Sequence, residues 1–232
     1  MVVILVGVTI ILLVSADLVL RWRIARQKKA PAPLPDAVLD LLLPALQPSH
    51  FSLPGGLFFH RGHTWANLLY SGEVKVGLDD FLQRLLGRID DIMLPPVGVT
   101  VRAGEPFVTI RQNGRTATLQ APLNGEVCAV NGELAKNPNL LKRDPYTGGW
   151  FVALRPTALA ADLSRMNVGG DAFGWLQREV TRFQRFLADS LRTERHPLVG
   201  LTAADGGVHA DSLLEHADDD TWRRFQKEFL GT

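Results

Sequence analysis

Between Leu57 and Pro156 the chain reverses direction every few residues, and this punctuation constrains its fold more than any other feature. Leu68–Tyr70 and Glu73–Val76 flank Ser71-Gly72 and read as a hairpin. Ile89–Leu94 and Val97–Val101 read as extended pieces, stopped by Pro95-Pro96 and Gly104. Phe107–Gln112 and Arg115–Gln120 are joined by Asn113-Gly114, whose two residues tolerate the positive φ angles of a type I′ turn. A strand starting at Leu123-Asn124-Gly125-Glu126-Val127, a loop and short helix at Gly132–Leu141 and a strand at Trp150–Leu154 complete the run. Asp79 or Asp80 is placed to cap a short helix through Leu86, with Phe81, Leu82, Leu85 and Leu86 on one side. Short strands at this spacing point to an all-β barrel or sandwich and away from a βαβ enzyme fold.

The amino terminus has a different grammar. Val2–Leu20 carries one charge, Asp17, in nineteen residues, and at about 1.5 Å per residue it matches the hydrocarbon thickness of a bilayer. Arg21, Arg23, Arg26, Lys28 and Lys29 follow it, so residues 1–29 carry a net +4 and the rest of the chain −3, within a total of +1. A cleaved signal peptide has its basic residues before the apolar run, so an uncleaved single-pass anchor is expected. Basic flanks stay inside, which places the body in the cytoplasm at the cell (inner or plasma) membrane, with the lipid bilayer contacted through residues 2–20. The segment Ala30–Pro35, APAPLP, is a semi-rigid spacer. Ala37–Leu46 follows as a short apolar piece that lies on the membrane or caps the next domain.

Several function classes have no support. A near-equal 25 basic and 24 acidic residues give no nucleic-acid-binding charge. The single Cys128 excludes a disulfide scaffold and reads as a buried structural thiol. His60-x-x-His63 precedes a strand and has no acidic or cysteine ligand at a metal-binding spacing, so no metal is expected. There is no nucleophile elbow and no phosphate-binding glycine loop, so neither an enzyme nor a small-molecule substrate is indicated.

A set of short motifs then acquires meaning through its order. His63-Thr64-Trp65, Val76-Gly77-Leu78 with Phe81, Leu86-Gly87, Leu94-Pro95-x-Val97-Gly98, Ala121-Pro122-Leu123-x-Gly125-Glu126-Val127, Asn131, Asn137-Pro138 and Gly149-Trp150 resemble the glycine cleavage system H protein family over about residues 58–156. The resemblance implies the lipoyl/biotinyl-carrier fold, a flattened barrel-sandwich whose exposed hairpin presents one lysine. In that family the lysine carries lipoate and shuttles an aminomethyl group between enzymes. Counted without gaps from Phe107 to Pro122, that lysine falls on Gly114, and the acidic residue three before it falls on Arg111. The hairpin Arg111–Ala117 has no lysine, and a guanidinium does not substitute for an acylatable amine. The resemblance therefore implies a carrier fold without its attachment point and without a cofactor. Arg111, Asn113 and Arg115 become contact candidates for an acidic partner or, equally, solvated strand residues. Lys75, Lys136 and Lys142 are the candidates for a displaced lipoyl site.

The carboxyl-terminal part lies outside the resemblance and reads as helical. From Asp171 to Arg192, Phe173, Leu176, Val180, Phe183, Leu187 and Leu191 recur at helical spacing, and Trp175 and Phe186 widen the face. Arg178, Arg182 and Arg185 form a basic stripe on another side. The apolar face covers the β domain, binds a partner or second copy, or lies on anionic lipid. Asp218-Asp219-Asp220 then opens a second helix with Trp222, Phe225, Phe229 and Leu230 on one face, fit for a groove of its own chain or of a partner.

These readings divide the chain into an anchor with basic flank (1–29), a linker (30–56), an H-protein-like, mainly β domain (57–156) and a helical extension (157–232). They describe a non-enzymatic scaffold or adaptor in a membrane-associated assembly with unidentified protein partners. The alternative is a lipoyl carrier of one-carbon or redox metabolism that uses a displaced lysine.

Overall fold

A computed structural model describes residues 46–193, 211–215 and 217–231. The expected membrane span, its basic flank, the proline-rich spacer and the apolar piece up to residue 45 lie outside the described residues. Among the described residues, no helix is long and apolar enough to cross a membrane.

The fold is mainly β. Its strands are β1 (Phe58–Phe59), β2 (Thr64–Leu68), β3 (Val74–Leu78), β4 (Asp91–Met93), β5 (Thr100–Val101), β6 (Pro106–Gln112), β7 (Arg115–Gln120), β8 (Gly125–Val130), β9 (Trp150–Pro156) and β10 (Asn167–Val168). They form a seven-stranded sheet in the order β10-β1-β2-β3-β9-β8-β5 and a three-stranded sheet in the order β4-β6-β7. The helices are α1 (Asp80–Leu86), α2 (Gly132–Lys136), α3 (Leu140–Arg143), α4 (Leu159–Leu163), α5 (Gly169–Thr193) and α6 (Asp219–Phe225), the last continuing as a π turn through Gln226–Leu230. The large sheet does not end at Pro156: β10 pairs with β1, Phe58 opposite Val168, so the chain returns to the sheet before α5 begins.

Local chemistry sets the boundaries. Asp79 caps α1, its Oδ1 accepting the Leu82 N–H at 2.8 Å, and Gly87 closes the helix at φ +78°. In β2, Thr64, Trp65 and Ala66 are all buried, because both faces of this strand are covered. Trp65 lies across Gly77 of the neighbouring strand, where a Cβ would stand 2.5 Å from the indole ring. The indole N–H donates to the Pro145 carbonyl at 3.1 Å.

Helix α5 begins slightly before the expected Asp171 and closes the open side of the β unit. Trp175 stacks on Phe59, and Phe183 meets Phe81 edge-on at 5.9 Å. Helix α6 lies beside it, Phe225 and Phe229 stacking at 5.0 Å and both meeting Phe183 edge-on. As partner-binding candidates, Leu176, Val180, Phe183, Leu187, Trp222, Phe225 and Phe229 therefore need correction: none is more than 4% exposed, and all belong to the chain's own core. Helical periodicity reveals an apolar face without revealing what covers it. Phe173, 48% exposed, is the exception.

Cys128 also departs from expectation. The register of β8 on β9 shifts between Val127 and Ala129, and the bulge leaves Cys128 half-buried, its Sγ 3.1 Å from the Ala153 carbonyl. Partial burial, then the nearby Glu73, hold the thiol above its ordinary pKa, which makes it a poor nucleophile.

Candidate functional site

The β6–β7 hairpin projects from the small sheet, its strands in register from Ile110 opposite Ala117 to Gln112 opposite Arg115. Asn113 at φ +48° and Gly114 at φ +76° form the expected two-residue turn. A Cβ on Gly114 would meet nothing within 4 Å, so the tip itself is open. The strands behind it are not. The Asn113 N–H donates to Asp90 Oδ2 at 2.7 Å, and the Asp90 N–H donates to the Arg111 carbonyl at 2.9 Å, tying the tip to the loop before β4.

The second tie comes from the carboxyl-terminal segment. Trp222 Nε1 at 3.1 Å and Gln226 Nε2 at 2.6 Å both donate to the Thr116 carbonyl, which faces outward from the edge strand β7. Edge carbonyls are unpaired within their sheet, and these side chains satisfy this one. Gln120 Nε2 donates to the Gly231 carbonyl at 3.0 Å further along the same edge. Asn113 Nδ2 donates to the Glu215 carbonyl at 3.4 Å. The Ser212 and Leu214 N–H groups donate to the carbonyls of Arg84 and Leu85, which the end of α1 leaves without helical partners. Residues 211–215 and 217–231 thus bridge α1, the hairpin and α5.

The expected contact residues take unequal places. Arg115 is 23% exposed, 3.3 Å from Asp219, and its guanidinium lies over the Trp222 ring. It is spent on the intramolecular clasp. Arg111 stays exposed, with a loose pair to Asp91 at 3.9 Å. Gln112, which sequence reasoning did not single out, is 2% exposed, and neither atom of its amide has a hydrogen-bond partner. The alternation of β6 assigns it an inward position, but a polar residue one place from a turn reads as solvated.

The three candidate lysines for a displaced site all lie outside the hairpin, in β3, α2 and α3. Lys75 Nζ sits 4.7 Å from the centre of the Trp150 ring in mid-strand. Lys136 pairs with Glu133 at 2.9 Å. Lys142 is half-buried, and burial lowers its pKa against the opposing pull of Glu215 and Asp211.

His63 is fully buried, its Nδ1 2.9 Å from Asp79 Oδ2 and its Nε2 3.8 Å from Glu179 Oε2, while Glu179 pairs with Arg182 at 2.9 Å. It stacks on Phe81 at 5.0 Å and lies beside Trp175. His63 therefore joins the α1 cap to α5. His60 turns elsewhere, its Nδ1 accepting the Gly62 N–H. Burial, then Arg61 and His63, lower the His60 pKa to about 4. Among the described residues, no three His, Cys, Asp or Glu side chains converge as a metal site would require.

Two antiparallel sheets around one core, with a tight hairpin projecting from the smaller, define a barrel-sandwich of the lipoyl-carrier class. The chain belongs to the glycine cleavage H-protein family, whose sequence profile matches residues 57–171. It is 33% identical over 121 residues to a probable glycine cleavage system H protein of Pyrococcus abyssi, covering 52% of this chain and 90% of that one. It is 39% identical over 103 residues to the glycine cleavage system H protein of Mycolicibacterium vanbaalenii, covering 44% and 79%. Among solved structures, the H protein of Mycobacterium marinum is 28% identical and covers 55% of this chain and 98% of that one, with a TM-score of 0.47.

Proposed function

We infer that this chain is a membrane-anchored relative of the H proteins that bears no lipoyl group and serves as a non-enzymatic scaffold in a membrane-associated assembly. The observation that carries this reading is the hairpin tip, where Gly114 stands at the position that a gap-free count gives to the carrier lysine. Lipoylation forms an amide on a primary amine, and the whole turn from Arg111 to Ala117 offers none. The bonds from Trp222 and Gln226 to Thr116, and from Asn113 to Glu215, fit a hairpin retained as structure. A carrier arm also needs space beside its hairpin in which to move, and residues 222–231 occupy the edge of β7.

The membrane part rests on the nineteen apolar residues Val2–Leu20 and the five cations after them, which set the body on the cytoplasmic side. The partners are proteins, and the near-neutral charge supports no nucleic acid. Extraction of the native membrane in mild detergent, followed by size analysis and mass spectrometry of co-purifying chains, tests the scaffold role. A defined set of partners at constant ratio is expected. Recovery of the isolated monomer alone refutes it.

A further inference from the structure

The described chain enters the fold on helix α5. Leu46 is fully buried, its carbonyl accepts a hydrogen bond from Gln184 Nε2 at 2.9 Å, and the turn Pro48–His50 packs on the same helix. Residue 46, the first described, therefore lies on the side of the molecule that α5 occupies. Next to Gln184, on the solvent side of that helix, stands the basic stripe. Arg178, Arg182 and Arg185 are exposed, and one face collects them because their spacing is four and three.

Two of these three cations are not consumed by the fold. Among the described residues, Arg178 and Arg185 form no ion pair, whereas Arg111, Arg115 and Arg223 of the small sheet and α6 each have an acidic neighbour. Arg182 is held rigidly by Glu179, by the Glu228 carbonyl at 3.1 Å and by the Phe229 ring at 4.2 Å. With the exposed Arg61, which has no ion pair among the described residues, it lines a cleft of about 270 Å³, which Gly62, Gln120 and Gly231 also border. That volume takes a phosphate group with room to spare. The acids in view of the stripe are Asp171, Asp189 and the Arg182-paired Glu179 on α5 and Glu228 at the cleft. Beyond the amino-terminal end of the stripe, Val168 (41% exposed) and Phe173 (48% exposed) add apolar surface.

We propose that the α5 face is a docking surface for an anionic bilayer, with Arg178 and Arg185 meeting lipid phosphates and the Arg61–Arg182 cleft holding one. The occupant is chosen by position and charge together, and the inference rests on the membrane-anchor reading. The 25 residues between Leu20 and Leu46 reach at most roughly 90 Å, so an anchored body stays within that distance of a surface that attracts the basic flank, and its charge decides which face meets it. Each arginine near an anionic leaflet strengthens binding about fivefold, and a tethered surface supplies the remainder as effective concentration. The bilayer-bound body then presents its other faces, the hairpin sheet among them, to proteins.

The full chain, with Cys128→Ala and a fluorophore on Thr181→Cys between Arg178 and Arg185, is reconstituted in vesicles with about 30% anionic lipid or zwitterionic lipid only. Headgroup-attached quenchers report proximity, and a fluorophore on Glu126→Cys in β8 is the control. At least threefold more quenching at 181 than at 126 is expected in anionic vesicles. It should fall to the control level in zwitterionic vesicles, in about 0.5 M salt, and in Arg178→Glu/Arg185→Glu, both exposed positions, whose thermal melt should match that of the parent chain. Equal quenching at both sites, or at 181 in both lipids, overturns the proposal, the latter because charge is then irrelevant. An acidic protein partner in place of lipid gives the same null. An alkaline carbonate wash separates the two readings: a chain that resists the wash but shows no excess quenching loses only the docking face. A chain that washes off yet quenches at 181 in anionic vesicles loses only the anchor.

Discussion

Replacing Trp222 by alanine tests whether the carboxyl-terminal segment belongs to the hairpin or merely lies near it. The indole is 4% exposed, donates from Nε1 to the Thr116 carbonyl at 3.1 Å and lies under the Arg115 guanidinium. Truncating a buried tryptophan costs about 3–5 kcal/mol. Trp222→Phe keeps most of the apolar surface and loses the hydrogen bond, but Gln226 Nε2 still serves Thr116 at 2.6 Å, so its cost is about 1 kcal/mol or less. Denaturant titration of the purified chain measures the first difference, and amide exchange localises it. Exchange within residues 111–118 and 217–230 should accelerate at least tenfold in Trp222→Ala, since about 1.4 kcal/mol of easier local opening is one decade. The β8–β9 pair, which Trp222 does not touch, should keep its protection. A loss below about 1 kcal/mol with unchanged exchange at Thr116 and Ala117 refutes the clasp.

Other positions give further tests. His63→Ala removes a buried ring that joins Asp79 to the aromatic core, and a loss of about 2–4 kcal/mol is expected in the same titration; a loss under about 1 kcal/mol contradicts its linking role. Gly77→Ala puts a methyl group into the Trp65 ring and should cost about 1–3 kcal/mol, with the shift visible in tryptophan fluorescence. Tyr146 accepts from the Asp80 N–H at 2.9 Å and donates to the Ser52 carbonyl at 2.6 Å. Tyr146→Phe leaves both without that partner and should lower stability by about 1–3 kcal/mol. His60 supplies a pH test. Its folded pKa of about 4 lies below the unfolded value of 6.5, so between those values the unfolded chain binds the extra proton. Its contribution is complete above about pH 6.5 and is lost as pH falls towards 4, roughly 2–3 kcal/mol between about pH 7 and pH 4.5. His60→Asn should flatten that part of the stability profile, and identical slopes in the two proteins contradict the assignment.

The hairpin and α1 were legible because their chemistry is local. Asn113-Gly114 tolerates the left-handed backbone that a two-residue turn imposes, and Asp79 is a capping side chain three residues before the amide it accepts. The apolar face of α5 was equally plain, but its periodicity left its cover undecided, and only the packing of Phe183 between Phe81 and Phe229 decides it. Strands β1 and β10 have two residues each, too few for any alternation to register. The bulge that turns Cys128 outward depends on the register of β9, which lies more than twenty residues away. At the site, Gly114 was found by counting, whereas the clasp was not, because Thr116 participates through its carbonyl and Gln226 through a contact 110 residues distant. Backbone acceptors carry no residue-specific signal.

Only six of the chain's 25 cations are lysines, and none lies between Arg111 and Ala117. The most direct measurement is the intact mass of the chain purified from its native membrane, with peptide mapping of Lys75, Lys136, Lys142 and Lys227. An unmodified mass at all four is the predicted result. A lipoyl adduct on any of them, lost when that lysine is replaced by arginine, contradicts the account and makes the chain a working carrier.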